Sequence, residues 1–178
     1  MIMKNVGNIF VLSLAVVFCF ALSSCGTSAC NRVDCGRNGT CDEADGKCAC
    51  NVGYEIDPAC GKCDMKANAK FIGQWTSAET CPPASDPTPY TITISAVTND
   101  LSKVQIANFG RTNCGADPLG VIATIDGTTL KSFTTTCPTV SVSAGSCSLS
   151  PDGLTLHVVY TLTDGGGTVY SCAAAMLK

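Results

Sequence analysis

The sequence predicts a mainly β protein, in which a short cysteine-rich segment precedes one antiparallel β domain of about eight strands. Two observations predict this class. The chain of 178 residues contains 14 cysteines, a density typical of exported proteins that are stabilised by disulfides. From residue 66 onward, apolar and polar residues alternate with a period of two between turn signals, and no helical period follows residue 25.

The first segment, residues 1–24, has the pattern of a secretory signal peptide. Lys4 supplies the positive charge, and an apolar stretch follows over residues 6–22. The alternative is a retained transmembrane helix, but a span needs about 20 apolar residues and this stretch is shorter. We therefore expect the segment to direct export and then to be removed.

The end of this segment points to a lipid anchor. Leu22-Ser23-Ser24-Cys25 resembles the lipobox of bacterial lipoproteins. The resemblance implies cleavage before Cys25, membrane attachment through acyl chains on Cys25, and a short anchored linker over residues 25–29. Gly26 stands where an Asp would retain such a protein in the inner membrane. The resemblance thus implies a bacterial envelope protein of the outer membrane, on its periplasmic face or at the cell surface.

Cysteine parity agrees with this interpretation. Of the 14 cysteines, Cys19 would leave with the signal peptide and Cys25 would be acylated. The number that remains is even, and an even number is needed for complete disulfide pairing. We therefore expect every remaining cysteine to be paired.

The segment over residues 30–63 has almost no aliphatic residues and needs cross-links in place of a core. Its spacing, C-x4-C-x5-C-x6-C-x-C-x9-C with a Gly-Tyr pair before the sixth cysteine, resembles an EGF-like module. The resemblance implies the disulfides Cys30–Cys41, Cys35–Cys48 and Cys50–Cys60. Cys63 competes with Cys60 as the partner of Cys50. The acidic or amide residues that precede the first cysteine of calcium-binding modules are missing, and so is the aromatic after the third cysteine. The acidic residues after the third cysteine could attract a cation weakly but fit a solvated hairpin better, so no metal is expected.

A linker over residues 64–70 leads to the β domain, residues 71–178. Thr-rich alternation predicts antiparallel strands with one buried face. The predicted strands cover residues 72–80, 90–97, 104–109, 120–125, 129–135, 140–143, 154–163 and 169–177. Short turns join them, which fits an up-and-down barrel or a two-sheet sandwich.

The start of this domain resembles a lipocalin-like barrel. The motif is Gly73-Gln74-Trp75 preceded by Phe71, and the resemblance implies that Trp75 packs across one barrel end. The last strand, residues 169–177, departs from that family because it contains no basic residue. An EGF-like module followed by this motif is similar to the layout of certain bacterial lipoproteins.

Closure of a barrel would make the first and last strands neighbours, and this places Cys81 near Cys172. We therefore predict a Cys81–Cys172 disulfide. Four cysteines, Cys63, Cys114, Cys137 and Cys147, are left unassigned.

Composition argues against several functions. The net charge is −3, and the sequence contains no stripe of basic residues that could bind nucleic acid. His157 is the single imidazole and lies on the polar face of its strand. Asp126, Asp152 and Asp164 are explained by turns. We therefore predict no enzyme activity, catalytic residue, cofactor or metal.

Two functions fit the sequence. The favoured hypothesis is a membrane-anchored, non-enzymatic binding or adhesion module whose partner is a protein or a glycan. The alternative is a lipocalin-like carrier that encloses a small apolar ligand. Packing inside the β domain distinguishes them, because a carrier needs a cavity, whereas a binding module can have a solidly packed core.

Overall fold

A computed structural model describes residues 29–82, 88–111, 113–114, 117–135 and 137–178. The predicted signal peptide, Cys25 and most of the anchored linker lie outside the described residues. The described chain is mainly β, with a single 3-10 turn at Phe109–Arg111. No helix in this part of the chain has the length and apolar character needed to span a membrane.

The cysteine-rich segment contains two small hairpins. Strands β1 (Gly39–Cys41) and β2 (Cys48–Cys50) pair antiparallel, and so do β3 (Tyr54–Glu55) and β4 (Met65–Lys66). Cys30 is joined to Cys41 and Cys35 to Cys48, as the resemblance implied. These cross-links hold a segment in which most side chains are exposed or half-buried.

The third cross-link differs from the expected one. Cys50 is joined to Cys63, so the expected Cys50–Cys60 disulfide is wrong. Cys63 is fully buried, and its backbone N–H donates to the Cys35 carbonyl over 3.0 Å. Cys60 instead lies in an exposed turn that is closed by the Asp57 carbonyl. The turn directs the Cys60 side chain to solvent, whereas Cys63 lies beneath the β1–β2 hairpin.

Glycine at position 39 makes room for this arrangement. A Cβ added at Gly39 would lie 2.5 Å from the Cys63 Sγ, closer than two such atoms approach. The hairpin therefore contacts the disulfide directly through its backbone.

The β domain is a closed eight-stranded antiparallel barrel, which confirms the predicted fold class and selects the barrel over the sandwich. A two-stranded extension, β8 (Asn113–Cys114) with β9 (Asp117–Pro118), lies outside the barrel sheet. The barrel strands are β5 (Gly73–Thr80), β6 (Tyr90–Val97), β7 (Asp100–Ala107), β10 (Gly120–Asp126), β11 (Thr129–Thr135), β12 (Ser141–Leu149), β13 (Thr155–Thr163) and β14 (Val169–Leu177). Each strand pairs with the next in the chain, and β14 closes on β5.

Alternation along the strands fills the barrel, as period-two patterning requires. In β13 the buried residues are Leu156, Val158, Tyr160 and Leu162, while His157 between them is exposed. His157 thus lies on the outside, as predicted. The fully buried side chains within the strands include Ile92, Val104 and Leu156, so the centre of the barrel is packed.

One barrel end is closed around Trp75. Its ring is fully buried, and its Nε1 donates to the Phe71 carbonyl over 2.8 Å. Lys178, the residue directly after β14, holds its ammonium group 5.2 Å from the Trp75 ring centroid. Gly73 has a φ of 139°, which favours glycine at this position.

The cysteine-rich segment contacts the same barrel end. Lys70 forms an ion pair with Glu55 over 2.5 Å, and the Ala67 N–H donates to the Gly53 carbonyl. A Cβ at Gly53 would meet the Leu101 side chain at 2.6 Å. Leu101 lies near the start of β7, so this segment packs against the end that Trp75 closes.

Strand bounds differ from the predicted ones mainly at β7 and β12. The strand predicted over residues 104–109 begins earlier, at Asp100, because Asn99 adopts a φ of 61° and completes a tight turn. Phe109 belongs to the 3-10 turn and is buried. The strand predicted over residues 140–143 continues to Leu149 past a bulge.

Two disulfides lie in the β domain. Cys81 is joined to Cys172 as predicted, and Cys114 is joined to Cys137. Among the described residues Cys60 and Cys147 are free, so the expectation that all these cysteines pair is wrong. Cys60 is exposed on the cysteine-rich segment while Cys147 is buried in the barrel, which explains why they do not pair.

Candidate functional site

The barrel end opposite Trp75 contains a cavity of about 310 Å³. This volume falls at the lower end of the range for sites that bind small organic molecules. Its walls come from the ends of β5, β13 and β14, from the turn after β13 and from the 3-10 turn. The lining residues are Glu79, Cys81, Gly110, Tyr160, Leu162, Asp164, Tyr170 and Cys172.

Strand alternation and register bring these side chains together. Glu79 has the same inward parity on β5 as Trp75 and Ser77. Tyr160 is paired with Cys172 in the β13–β14 register, and Leu162 with Tyr170. Three neighbouring strands therefore contribute polar groups at one level of the barrel.

The Glu79 carboxylate accepts hydrogen bonds from two tyrosine hydroxyls. Tyr160 donates to Oε1 and Tyr90 donates to Oε2. Burial, and then the hydrogen bond to Glu79, raises the pKa of both tyrosines above the ordinary 10.0. Both donors are neutral, so the tyrosines fix the carboxylate in place without cancelling its charge.

Asp164 lies at the rim of the cavity. Its Oδ1 accepts hydrogen bonds from the N–H groups of Gly166 and Thr168, and its Oδ2 accepts one from the Tyr170 hydroxyl at 3.2 Å. The backbone hydrogen bond from Thr168 is the first cause of the lowered pKa of Asp164. Asp164 is thus both a turn residue, as predicted, and a second carboxylate of the site.

The cavity is negatively charged. None of its lining residues is basic, and neither carboxylate has a salt bridge within the described part of the chain. The Arg111 guanidinium lies 5.3 Å from the Tyr90 ring centroid, and its Nη1 donates to the Thr88 carbonyl. Aromatic rings beside uncompensated carboxylates favour cations.

Three potential metal ligands meet at the same place. One ligand atom each of Glu79, Cys81 and Cys172 lie within 4.8 Å of one another. The two sulfurs are joined in a disulfide, which leaves no thiolate for a metal. As it stands, the group offers one carboxylate only.

A smaller cavity of about 170 Å³ lies between β11 and β12. Cys147 lines it, and burial raises the pKa of this thiol to about 12. The thiol is therefore protonated at neutral pH and is a poor nucleophile.

Sequence reasoning missed Glu79, Tyr90, Tyr160 and Tyr170 as site residues. The signal was present for two of them, because Glu79 and Tyr160 occupy inward positions in strands whose other inward residues are mostly apolar. A polar residue on a buried face indicates a partner or a ligand. The convergence of the strands at one end was not visible in the pattern.

The fold and the cavity define a disulfide-stabilised, closed eight-stranded antiparallel barrel with an acidic, aromatic-lined mouth. No protein-family model matches the chain, and a comparison with curated proteins gives no significant match.

Proposed function

We propose that this chain is an exported, non-enzymatic binding protein that takes a small organic molecule into the cavity at the open end of its barrel. The observation that carries the proposal is the cavity of about 310 Å³ beside Tyr160 and Tyr170, above a packed core. A ligand there would contact aromatic rings and meet fixed hydrogen-bonding groups. Because two carboxylates line the cavity, a purely apolar ligand fits it less well than an amphipathic one.

Attachment to the membrane is part of the same proposal. The Leu22-Ser23-Ser24-Cys25 sequence supports acylation at Cys25 and a place in the bacterial envelope, at the outer membrane. The cysteine-rich segment follows this cysteine and contacts the closed barrel end. An anchor before that segment would leave the cavity directed away from the membrane.

Ligand binding is tested by ligand-observed NMR on a mixture of small aromatic fragments. The variant Leu162→Trp narrows the cavity, and Val159→Trp adds the same ring on the exposed outer face of β13. We expect the NMR signals that report fragment binding to disappear with Leu162→Trp and to remain with Val159→Trp. Equal binding by both variants, or none by the unaltered protein, would contradict the proposal.

Acylation is tested by labelling exported protein with an alkyne-bearing fatty acid. The label should appear on the unaltered chain and disappear in Cys25→Ala, which should also leave the membrane fraction. A label on Cys25→Ala would show that another residue carries the lipid.

A second function, binding of a protein or a glycan, is favoured by the outer surface of the barrel. Across the five neighbouring strands β12, β13, β14, β5 and β6, the one Asp, Glu, Lys or Arg is Glu79, which points inward. The outer surface carries Ser, Thr and Ala with exposed Val159, Val169 and Leu177. Depletion of charge is typical of the centre of an interface.

This second function predicts that Ala173→Glu, at an exposed position of β14, abolishes binding to a glycan array or to envelope proteins cross-linked in place. Lys131→Glu on β11 is the matched control, since its position lies outside the uncharged strands. Equal binding by the two variants would rule out the uncharged surface as the interface.

A further inference from the structure

We infer that the cavity selects small organic cations, such as primary amines attached to an aromatic or aliphatic body. This inference rests on the proposed binding function and names its ligand class. It follows from the arrangement of Glu79, Asp164 and the tyrosine rings around one cavity that is open to solvent at the end of the barrel.

The charge of Glu79 is available to a ligand. Both of its oxygens accept hydrogen bonds from neutral hydroxyls, and a carboxylate oxygen has lone pairs for more than one donor. An ammonium group in the cavity would therefore add to the existing hydrogen bonds and would not have to break them. A charge-assisted hydrogen bond of this kind is stronger than one between neutral groups.

The two carboxylates are held in position before a ligand binds. Tyr160 is 1 % exposed and Tyr90 is half-buried, so the hydroxyls that hold Glu79 are fixed by packing. Asp164 is fixed by two backbone N–H groups. Preorganised groups lose little conformational entropy on binding, which favours affinity for a small ligand.

The aromatic rings supply the second half of the selectivity. Tyr160 and Tyr170 line the same volume as the two carboxylates. Aromatic rings attract cations through their negative faces and also cover an apolar body. An anion of the same shape would face two carboxylates, and a neutral analogue would gain no charge interaction.

The size of the cavity limits the ligand. A volume of about 310 Å³ holds a single ring with a short side chain, whereas larger ligands need the upper part of the usual range. The ligand is therefore a compact cation and not a peptide or a polyamine chain that crosses the barrel, since the core below is packed.

The test measures binding of benzylamine, benzyl alcohol and benzoate to the disulfide-bonded protein by isothermal titration calorimetry and by NMR shifts. The three probes share a ring and differ in charge. We expect benzylamine to bind about tenfold more tightly than benzyl alcohol, with benzoate the weakest. Binding of benzyl alcohol or benzoate as tight as that of benzylamine would overturn the cation inference and leave the proposed binding function intact.

Variants of the two carboxylates test whether benzylamine binds in the cavity. Glu79→Gln and Asp164→Asn each remove one charge with little change of shape, and we expect each to weaken benzylamine binding about tenfold and to change benzyl alcohol binding much less. Asp126→Asn is the control, because Asp126 is exposed, is paired with Lys131 and lies at the far end of β10. If Glu79→Gln fails to fold, Asp164→Asn at the rim still tests the inference.

Two further outcomes would also count against the cation inference. Equal loss of benzylamine binding in Asp126→Asn would mean that overall charge and not the cavity attracts the cation. No saturable binding of any probe would overturn the cation inference, and failure of the fragment screen in the same preparation would overturn the proposed function as well.

Discussion

Cys81 and Cys172 are joined across the seam where the last barrel strand pairs with the first, although 91 residues separate them in the chain. The bond lies one residue beyond the Ala173–Thr80 pair of the β14–β5 register. It therefore fixes the closure of the barrel, and it also forms part of the wall of the acidic cavity.

Removing this cross-link should cost more stability than removing the other disulfide of the β domain. On the chain-entropy model, Cys81→Ala with Cys172→Ala should lower the free energy of unfolding by about 4 to 5 kcal/mol. The Cys114–Cys137 disulfide closes a shorter loop of 23 residues, so its removal in Cys114→Ala with Cys137→Ala should cost about 3 kcal/mol. Urea unfolding of both double variants measures the difference, and an equal or reversed order would contradict the assigned role of the seam disulfide.

The pairing of Cys50 predicts opposite results for two neighbouring cysteines. Cys60→Ala removes an exposed free thiol and should leave stability unchanged. Cys63→Ala leaves Cys50 without its partner and should cost about 3 kcal/mol. Thermal unfolding compares the two variants, and mass mapping of the oxidised protein should give a Cys50–Cys63 peptide. A Cys50–Cys60 peptide would show that the resemblance to an EGF-like module predicted the pairing correctly.

Trp75 should contribute far more to stability than the Lys178 ammonium group that lies over its ring. Trp75→Ala leaves a void in a fully buried position and should cost about 3 to 5 kcal/mol. Lys178→Met removes an exposed cation–π contact and should cost less than about 1 kcal/mol. Chemical denaturation followed by circular dichroism measures both. A Lys178 effect as large as that of Trp75 would mean that Lys178 also closes the barrel end through its bond to the Lys70 carbonyl.

Alkaline pH should destabilise the barrel through Tyr90 and Tyr160. Their pKa values are raised in the folded state, so the unfolded chain releases these protons first. The resulting stability is complete below the ordinary value of 10.0 and is lost as the pH rises above it. The tyrosinate absorbance of Tyr90 and Tyr160 should therefore appear at higher pH in the folded protein than in the unfolded chain.

Glu79→Gln tests the cause of that shift. The variant removes the charge that disfavours tyrosinate, so the absorbance should appear at lower pH than in the unaltered protein, while burial keeps it above the unfolded value. Asp126→Asn serves as the control and should not move the curve. An unchanged curve in Glu79→Gln would mean that burial alone sets the titration of these tyrosines.

The two free cysteines should differ sharply in reactivity. Cys60 is exposed and should react with a maleimide in the native protein. Cys147 is buried, with a pKa raised to about 12, and should react only after denaturation. Mass spectrometry of labelled peptides counts each site. Labelling of native Cys147 would show that β11 and β12 separate beside the smaller cavity.

By itself the sequence determined most of the barrel strands, the turns between them and the side of each of these strands that is buried. The strands predicted over residues 90–97, 129–135 and 169–177 match the structure at both ends, and Asp164 forms the predicted turn. These features depend on alternation and turn chemistry within a few residues, and both can be read along the chain.

Only the tertiary structure decided how distant residues meet. It closed the sheet into a barrel, chose Cys63 over Cys60 and brought Glu79 to Tyr160, which lies 81 residues away. Alternation states which face a residue occupies but not its height in the barrel or its neighbour on another strand. Those depend on register and closure, which are set by the packing of the whole core.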